Sequence, residues 1–334
     1  MKISNKIKKQ EERGQRNLTS FFFINEVFIN MNYKKLVREI LSEIEVGSFI
    51  PTVYPSLDWD DNIMRMPTKI YLLDKEGRDV GMSTEDFAEY RGMIGKEQFE
   101  YEGHTIVGYS PDALVDFRTT GDRKFLEDIE TAPLVRVGWE KLRDAINNGV
   151  IFAIITARGH HPNTLKKAVL KLISMERGGI DKNQMLNSLR KFRETMKLKP
   201  MSDSELVRDY LNRCVFVPVS FESDEAASPE ELKFQANKNF HDYVSALSYR
   251  LQKKAYFDDQ IGDKGPIESG FLFVEPEVHF LDDDEKNAIA SSDRAKETGL
   301  KSLRTFLTKS GEEEEIKENK LTENIIARIK RRIF

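Results

Sequence analysis

The sequence contains very little cysteine and no long apolar run. Its 334 residues include one cysteine, Cys214, which excludes an intrachain disulfide and favours a reducing compartment. No segment approaches the roughly 20 consecutive apolar residues of a membrane-spanning helix. We therefore expect a cytoplasmic protein without a membrane contact, and we interpret Cys214 as a small buried side chain rather than a nucleophile.

A strong net charge and the common cofactor motifs are also missing. The formal net charge of −4 gives no field that would hold nucleic acid over the whole surface. Both ends are basic, over residues 2–16 and 328–332, and we interpret them as solvated tails, with nucleic-acid contact as the alternative. The sequence has no Walker loop, dinucleotide fingerprint or zinc-metalloprotease helix. His104, His241 and His279 lack the paired spacing of a zinc site.

The sequence does contain alternating strand and helix patterns. The segment VIFAIITA, residues 150–157, is a nearly continuous apolar run, which is typical of a central parallel strand covered on both faces. Helix patterns precede and follow it. Residues 68–83 predict a hairpin that turns at Glu76 and Gly77. This alternation predicts an α/β fold with a mostly parallel central sheet and helices on both faces.

The patterns divide the chain into several parts, which set our expected domain boundaries. We predict an N-terminal extension, residues 1–30, that adds little to the fold. The core is expected in two segments, residues 31–65 and 136–310, with a cap inserted between them at residues 66–135 and a further helical insertion at residues 163–212. Residues 311–334 are expected to be a charged C-terminal tail that begins as a linker or helix start.

Three predicted strands end in polar residues, and these ends are the candidate site. The first is followed by Asp58-Trp59-Asp60-Asp61-Asn62, the second ends in Thr156-Ala157-Arg158-Gly159, and the third in Asp282-Asp283-Asp284-Glu285-Lys286-Asn287. In parallel sheets, ligands bind at the carboxyl ends of the strands. Carboxylates that meet there repel each other unless a cation lies between them, and oxygen ligands favour Mg²⁺.

The order of these three motifs resembles the haloacid dehalogenase (HAD) superfamily of phosphohydrolases, over about residues 48–290. The resemblance implies a Rossmann-like core with an inserted α+β cap. It implies that Asp58 is the nucleophile that forms an aspartyl-phosphate. Asp60 would be the general acid/base, and its backbone carbonyl would reach Mg²⁺. Thr156 would hydrogen-bond the phosphoryl group.

The same resemblance assigns roles to the remaining motif residues. Asp282 would be a direct Mg²⁺ ligand, Asp283 would lie in the outer shell of the metal, and Asn287 would support the loop. The residues after Thr156 are predicted to contact the substrate; these are Ala157, Arg158 and Gly159. The family also needs a lysine that bridges nucleophile and phosphate, for which Lys233 is the better match and Lys238 the alternative. The sequence departs from the family at Asn62, where Thr or Val is usual, and at the bulky Trp59.

These assignments predict Mg²⁺-dependent hydrolysis of a phosphate monoester. The expected partner is a small phosphorylated metabolite, a nucleotide or the phosphorylated end of a nucleic acid. The presence of Asp60 favours phosphoryl transfer over dehalogenation, because the dehalogenases of the family lack an acid/base aspartate there. Two alternatives stay open. One is a binding or structural protein that keeps the fold without turnover, and the other is a metal-dependent nuclease.

Overall fold

The computed structural model describes residues 52–196, 198–220, 228–260, 273–308 and 312–316. The predicted N-terminal extension, residues 31–51 of the predicted core and the basic C-terminal segment lie outside these residues. The described part of the chain forms an α/β fold with one six-stranded and one four-stranded sheet. The predicted α/β class is therefore confirmed. No helix in this part of the chain is long and apolar enough to cross a membrane.

The described residues form ten strands and eight α-helices, numbered here in chain order. The strands are β1 (Val53–Leu57), β2 (Ile70–Asp74), β3 (Asp79–Met82), β4 (Phe99–Tyr101), β5 (His104–Tyr109), β6 (Ala153–Thr156), β7 (Val215–Pro218), β8 (Glu277–Asp282), β9 (Leu303–Leu307) and β10 (Glu314–Glu315). The helices are α1 (Thr84–Tyr90), α2 (Asp122–Asp128), α3 (Arg136–Asn147), α4 (Pro162–Ser174), α5 (Lys182–Thr195), α6 (Asp203–Arg213), α7 (Pro229–Gln260) and α8 (Glu285–Glu297).

The six-stranded sheet has the order β10-β9-β8-β1-β6-β7. Its strands are parallel except β10, which pairs with β9 in the antiparallel direction. The prediction of a linker or helix start is wrong for residues 314–315, which form β10. Glu315 pairs with Phe306 of β9. The carboxylate of Glu315 accepts a hydrogen bond of 2.8 Å from Nε of Arg304.

Helices cover both faces of this sheet. Ile154 of β6 and Leu281 of β8 belong to an apolar core shared with helices α3 to α6, whereas Ile155 and Phe280 belong to a second core shared with α7 and α8. Successive residues of a strand point to opposite faces, so the apolar run of β6 serves both cores. Residues 163–212, predicted as a helical insertion, form α4 to α6 and pack into the first core.

The four-stranded sheet lies between β1 and β6 in the sequence and has the order β3-β2-β5-β4. The predicted hairpin is confirmed: β2 and β3 are antiparallel, and Gly77 has a φ of 78° in the turn. A glycine adopts this left-handed conformation without the steric cost of a side chain. Residues 99–109 form a second hairpin, β4 and β5, which turns at Glu102 and Gly103.

Residues 66–135, predicted as the cap and called the insertion from here on, have a small apolar core of their own, but the ends of this segment belong to the main core. Ile70, Leu72 and Ile106 pack together within the four-stranded sheet. Met66 and Phe125, in contrast, pack into the core formed by α3 to α6 and the large sheet. The predicted cap of residues 66–135 therefore contains a separate small core and, toward both ends, segments that are built into the main body.

Candidate functional site

The structure brings the three sequence motifs to one edge of the six-stranded sheet. Leu57, the last residue of β1, pairs with Leu281 of β8 on one side and with β6 on the other. The backbone N–H of Asp58 continues this pairing and donates to the carbonyl oxygen of Leu281 at 3.0 Å. Asp58, Thr156 and Asp282 therefore leave three adjacent parallel strands at the same edge.

Three carboxylates form a tight cluster at this edge. One oxygen from each of Asp58, Asp282 and Asp283 lies within 4.8 Å of the others. Asp58 and Asp282 are buried, and Asp283 is partly buried. Like charges at this spacing repel strongly where water is largely excluded. The cluster therefore needs positive charge close to it.

Lys233 supplies one positive charge. Its Nζ lies 2.7 Å from Oδ2 of Asp282 and 3.2 Å from Oδ1 of Asp58, and its side chain is 2% exposed. The side chain of Asn237 connects helix α7 to β1, because its Nδ2 donates to the carbonyl oxygen of Lys233 and its Oδ1 accepts from Oγ of Ser56. These bonds hold Lys233 toward the strand ends.

Lys238, the alternative bridging lysine, lies elsewhere on helix α7. Its ammonium group is 2.9 Å from Asp242, and its side chain is 37% exposed. Of the two lysines that the sequence left open, the structure brings only Lys233 to the carboxylate cluster.

Burial and the neighbouring charges shift the pKa values of the cluster. Burial, together with the charges of Asp282 and Asp60, raises the pKa of Asp58 to about 7, although Lys233 acts in the opposite direction. Burial also raises the pKa of Asp282, although the charge of Lys233 acts to lower it. Burial and the charges of the neighbouring carboxylates raise the pKa of Asp283. Burial disfavours the ammonium form of Lys233, yet Asp282 and Asp58 outweigh it and raise the pKa of Lys233.

The donor set fits a hard divalent cation. Oδ1 of Asp58 is buried and receives no hydrogen bond, although it lies within ion-pair distance of Lys233, and Oδ1 of Asn287 is likewise buried without a hydrogen bond. Buried acceptors of this kind are rare in folded proteins unless a ligand or ion satisfies them. Carboxylate and amide oxygens are suitable ligands for Mg²⁺. Asp58, Asp282 and Asp283 are therefore the residues that could hold such an ion.

The loop after β8 is organised around Asp282. Oδ1 of Asp282 accepts a hydrogen bond of 2.9 Å from the backbone N–H of Asp284 and one of 3.3 Å from Nδ2 of Asn287, on α8. Asn287 therefore contacts the loop that the sequence predicted it would support.

Asp60 is not one of the three clustered carboxylates, and its side chain binds Arg158. Nε of Arg158 donates to Oδ2 of Asp60 at 2.7 Å, and Nη2 donates to Oδ1 at 2.5 Å. Arg158 is fully buried, and its charge is paired with that of Asp60. A contact between Arg158 and a substrate stays a prediction.

The other residues of the second motif lie in different surroundings. Thr156 is buried, and its Oγ1 accepts a hydrogen bond of 3.4 Å from the backbone N–H of Arg158. Ala157 is exposed. The backbone N–H of Gly159 donates to the carbonyl oxygen of Phe117 at 2.8 Å, and is thus bound to the insertion. The loop after β6 therefore connects the site with the insertion.

Asn62 has a structural role that the sequence did not reveal. Its Nδ2 donates to the carbonyl oxygens of Asp58 and Leu281, at 3.1 and 3.0 Å, and its Oδ1 accepts a 2.8 Å bond from Thr308. A Cβ at Gly138 would lie 2.2 Å from the carbonyl oxygen of Asn62, so helix α3 packs directly on this loop. The side chain of Asn62 thus joins the ends of β1, β8 and β9, at a position where the resemblance implies Thr or Val.

Further contacts between the insertion and the site come from Thr84 and Arg91, and sequence reasoning missed them. Oγ1 of Thr84, at the start of α1, donates to the carboxylate of Asp61, a residue in the left-handed conformation with a φ of 52°. Arg91 lies 3.0 Å from Asp284, in the loop after β8, and 3.1 Å from Glu230, at the start of α7. No local pattern signals such contacts, because the partners are distant in the sequence.

Comparison with known proteins gives no match: no protein-family model, no curated protein and no solved structure matches this chain. Any assignment of function therefore rests on the motifs and on the arrangement of the described residues.

Proposed function

We propose that this chain is a Mg²⁺-dependent phosphohydrolase that resembles the HAD superfamily and acts on a phosphorylated metabolite, a nucleotide or a nucleic-acid end. The observation that supports this most strongly is the position of Lys233 between Asp58 and Asp282, at 3.2 and 2.7 Å. The resemblance requires a lysine that bridges the nucleophile and the phosphate, and this position beside Asp58 agrees with that role.

In the first step of the proposed reaction, a carboxylate oxygen of Asp58 attacks phosphorus. The bond between phosphorus and the leaving oxygen breaks, and that oxygen takes the electron pair and a proton from the carboxyl group of Asp60. Lys233 balances the negative charge on the phosphoryl oxygens, and the hydroxyl group of Thr156 donates a hydrogen bond to one of them. These roles combine nucleophilic, acid–base and electrostatic catalysis.

In the second step, water attacks the phosphorus of the aspartyl-phosphate. Asp60 takes a proton from the water, and the bond from phosphorus to the Asp58 oxygen breaks. Inorganic phosphate leaves, and both carboxyl groups return to their starting states. Asp58, Asp282 and Asp283 would hold Mg²⁺, with the backbone carbonyl of Asp60 as a further ligand. The ion would neutralise phosphate charge, so that an anionic nucleophile can approach.

The test is phosphate release from p-nitrophenyl phosphate and from a panel of nucleotides and sugar phosphates, with Mg²⁺ and with a chelator. The variant Asp58→Asn is compared with Asp242→Asn, which changes an exposed aspartate on α7. We expect release that requires Mg²⁺, is lost in Asp58→Asn and is kept in Asp242→Asn. Equal activity of Asp58→Asn and wild type would overturn the proposal. Internal cleavage of a labelled oligonucleotide without release of terminal phosphate would favour the nuclease instead.

One observation favours the catalytically silent alternative. Both carboxylate oxygens of Asp60 are bound by Arg158, which limits proton transfer by Asp60. A silent protein would be stabilised by Mg²⁺ in thermal unfolding, since the carboxylate cluster is intact, but would release no phosphate from any member of the panel. The two measurements together separate an enzyme from a binding protein.

A further inference from the structure

A chain of polar side chains runs from Asp60 into the insertion. Arg158 binds both oxygens of Asp60, and its Nη1 lies 3.1 Å from Nε2 of His160. Nδ1 of His160 lies 2.8 Å from Oδ1 of Asp122, the first residue of α2. Arg158 and His160 are both 0% exposed. Four side chains from three separate parts of the sequence are therefore in direct contact.

The hydrogen-bond directions in this chain follow from the chemistry of its members. A guanidinium group only donates, so Nε2 of His160 accepts from Arg158 and the ring proton lies on Nδ1, from where it is donated to Asp122. Burial and the charge of Arg158 lower the pKa of His160, which agrees with a neutral ring. The side-chain contacts from Asp60 to Asp122 thus have one consistent set of donors and acceptors.

Arg158 is held on its remaining sides by the insertion. Its guanidinium carbon lies 4.7 Å from the ring centre of Phe117 and 4.8 Å from that of Phe125. Its Nη2 also donates to Oγ1 of Thr68 at 2.8 Å. The His160 ring stacks on Phe125 at 4.7 Å. A planar cation between two aromatic rings has one favourable orientation.

Asp122 is itself fixed from two sides. Its Oδ1 accepts from His160, and its Oδ2 accepts a 2.8 Å bond from Oγ1 of Thr164 on α4. Its side chain is 31% exposed, so it is the most accessible member of the chain. Asp122 can therefore be changed with less risk to folding than its fully buried partners.

We propose that Arg158, His160 and Asp122 form a positioning chain through which the insertion sets the orientation of the Asp60 carboxylate toward the leaving group. This inference rests on the proposed phosphohydrolase function. Each carboxylate oxygen keeps a second lone pair while Arg158 binds it, so a correctly oriented Asp60 can carry a proton there and donate it to the leaving oxygen. Proton transfer requires hydrogen-bond distance, and small misplacements reduce it strongly. Arg158, His160 and Asp122 are positioning residues, and Asp60 is the catalytic residue.

The test compares two substrates with different leaving groups. An alkyl phosphate has a basic leaving oxygen that needs a proton from Asp60, whereas p-nitrophenolate leaves without one. A misplaced Asp60 therefore slows the first step selectively for the alkyl phosphate. The attack of water in the second step is common to both substrates and does not enter kcat/KM, which reports the steps up to departure of the leaving group. For Asp122→Ala we expect kcat/KM for the alkyl phosphate to fall about 100-fold, the lower end of typical acid–base contributions, and kcat/KM for p-nitrophenyl phosphate to change less than about 3-fold.

Matched variants separate positioning from a general loss of structure. Asp122→Asn keeps an oxygen that can accept from His160, so we expect it to restore most of the alkyl phosphate activity. Glu127→Ala removes an exposed carboxylate from the same helix, where it pairs only with Arg123 among the contacts described, and we expect no change with either substrate. If Asp122→Ala does not fold by circular dichroism, Arg158→Lys takes its place, because lysine keeps the charge but not the fork of donors.

The outcomes distinguish this inference from the proposed function. Selective loss with the alkyl phosphate, restored in Asp122→Asn, supports the positioning chain. Equal loss with both substrates, or no loss, overturns it while the phosphohydrolase function stands. If the wild-type protein releases phosphate from neither substrate, the proposed function and this inference both fail.

Discussion

The ammonium group of Lys233 lies 2.7 Å from Oδ2 of Asp282, and both side chains are buried. This ion pair joins the first turns of α7 to the carboxyl end of β8. A buried ion pair contributes little net stability, but loss of one partner leaves an uncompensated buried charge. Because Asp58 and Asp283 lie beside the pair, a single lysine leaves excess negative charge at the place where a phosphate and its cation would bind.

Replacement of Lys233 by methionine should remove the positive charge but keep most of the side-chain volume. We expect phosphate release to fall by about 100- to 1,000-fold, the usual effect of removing one preorganised electrostatic contact. The matched variant is Lys238→Met on the same helix, which we expect to change the rate less than about 2-fold because the side chain is exposed and lies away from the site. Similar rates for the two variants would contradict the role of Lys233.

Mg²⁺ should stabilise the folded protein. An ion that binds only the folded state stabilises it by about 2.7 kcal/mol at 100 times its dissociation constant. We expect the melting temperature to rise with Mg²⁺ concentration, and the rise to be reduced in Asp283→Asn, which removes one carboxylate of the cluster. Asp144→Asn, at an exposed position, should respond like wild type. A wild-type melting temperature that is independent of Mg²⁺ would exclude this metal site.

The stability of the metal-free protein should depend on the ionisation of Asp58. Burial, with Asp282 and Asp60 adding to it, raises the pKa of Asp58 from 3.8 to about 7 in the folded protein. The folded state then binds more protons than the unfolded state between these values, so the free energy of unfolding falls as the pH rises from about 4 to about 7. Urea unfolding of wild type and Asp58→Asn in chelator should show that the variant gains stability relative to wild type across this window. A constant difference would contradict the assignment.

Asn62 should be important for stability, because its amide satisfies two backbone carbonyls and accepts from Thr308. Asn62→Thr cannot donate to both carbonyls, and a buried polar group left without a partner costs about 1 to 3 kcal/mol. We expect a loss of about that size in urea unfolding. Thr308→Val removes one of the three bonds and leaves both Asn62 donors in place, so its effect should be smaller. A larger effect of Thr308→Val would show that the bonds to Asp58 and Leu281 contribute little.

Local patterns in the sequence were sufficient to predict the strands that carry the candidate site. The apolar run 150–157 and the acidic ends of β1 and β8 follow from side-chain chemistry over a few residues. Parallel strands bring their carboxyl ends to one edge, so the approach of Asp58 to Asp282 could be inferred without knowing any contact. The α/β class and the hairpin at Gly77 depend on equally local signals.

Other features were decided only by the tertiary structure. Lys233 and Lys238 are five residues apart on one helix and therefore point about 140° apart, and which of them meets the site depends on how α7 packs its apolar side on the sheet. Arg158 and Asp60 are 98 residues apart in the sequence, and their pairing follows from the register of β1 and β6 and from the rings of Phe117 and Phe125. The sequence by itself determined which chemical groups stand at the strand ends, because that is local, whereas the partner of each group was determined by packing between distant segments.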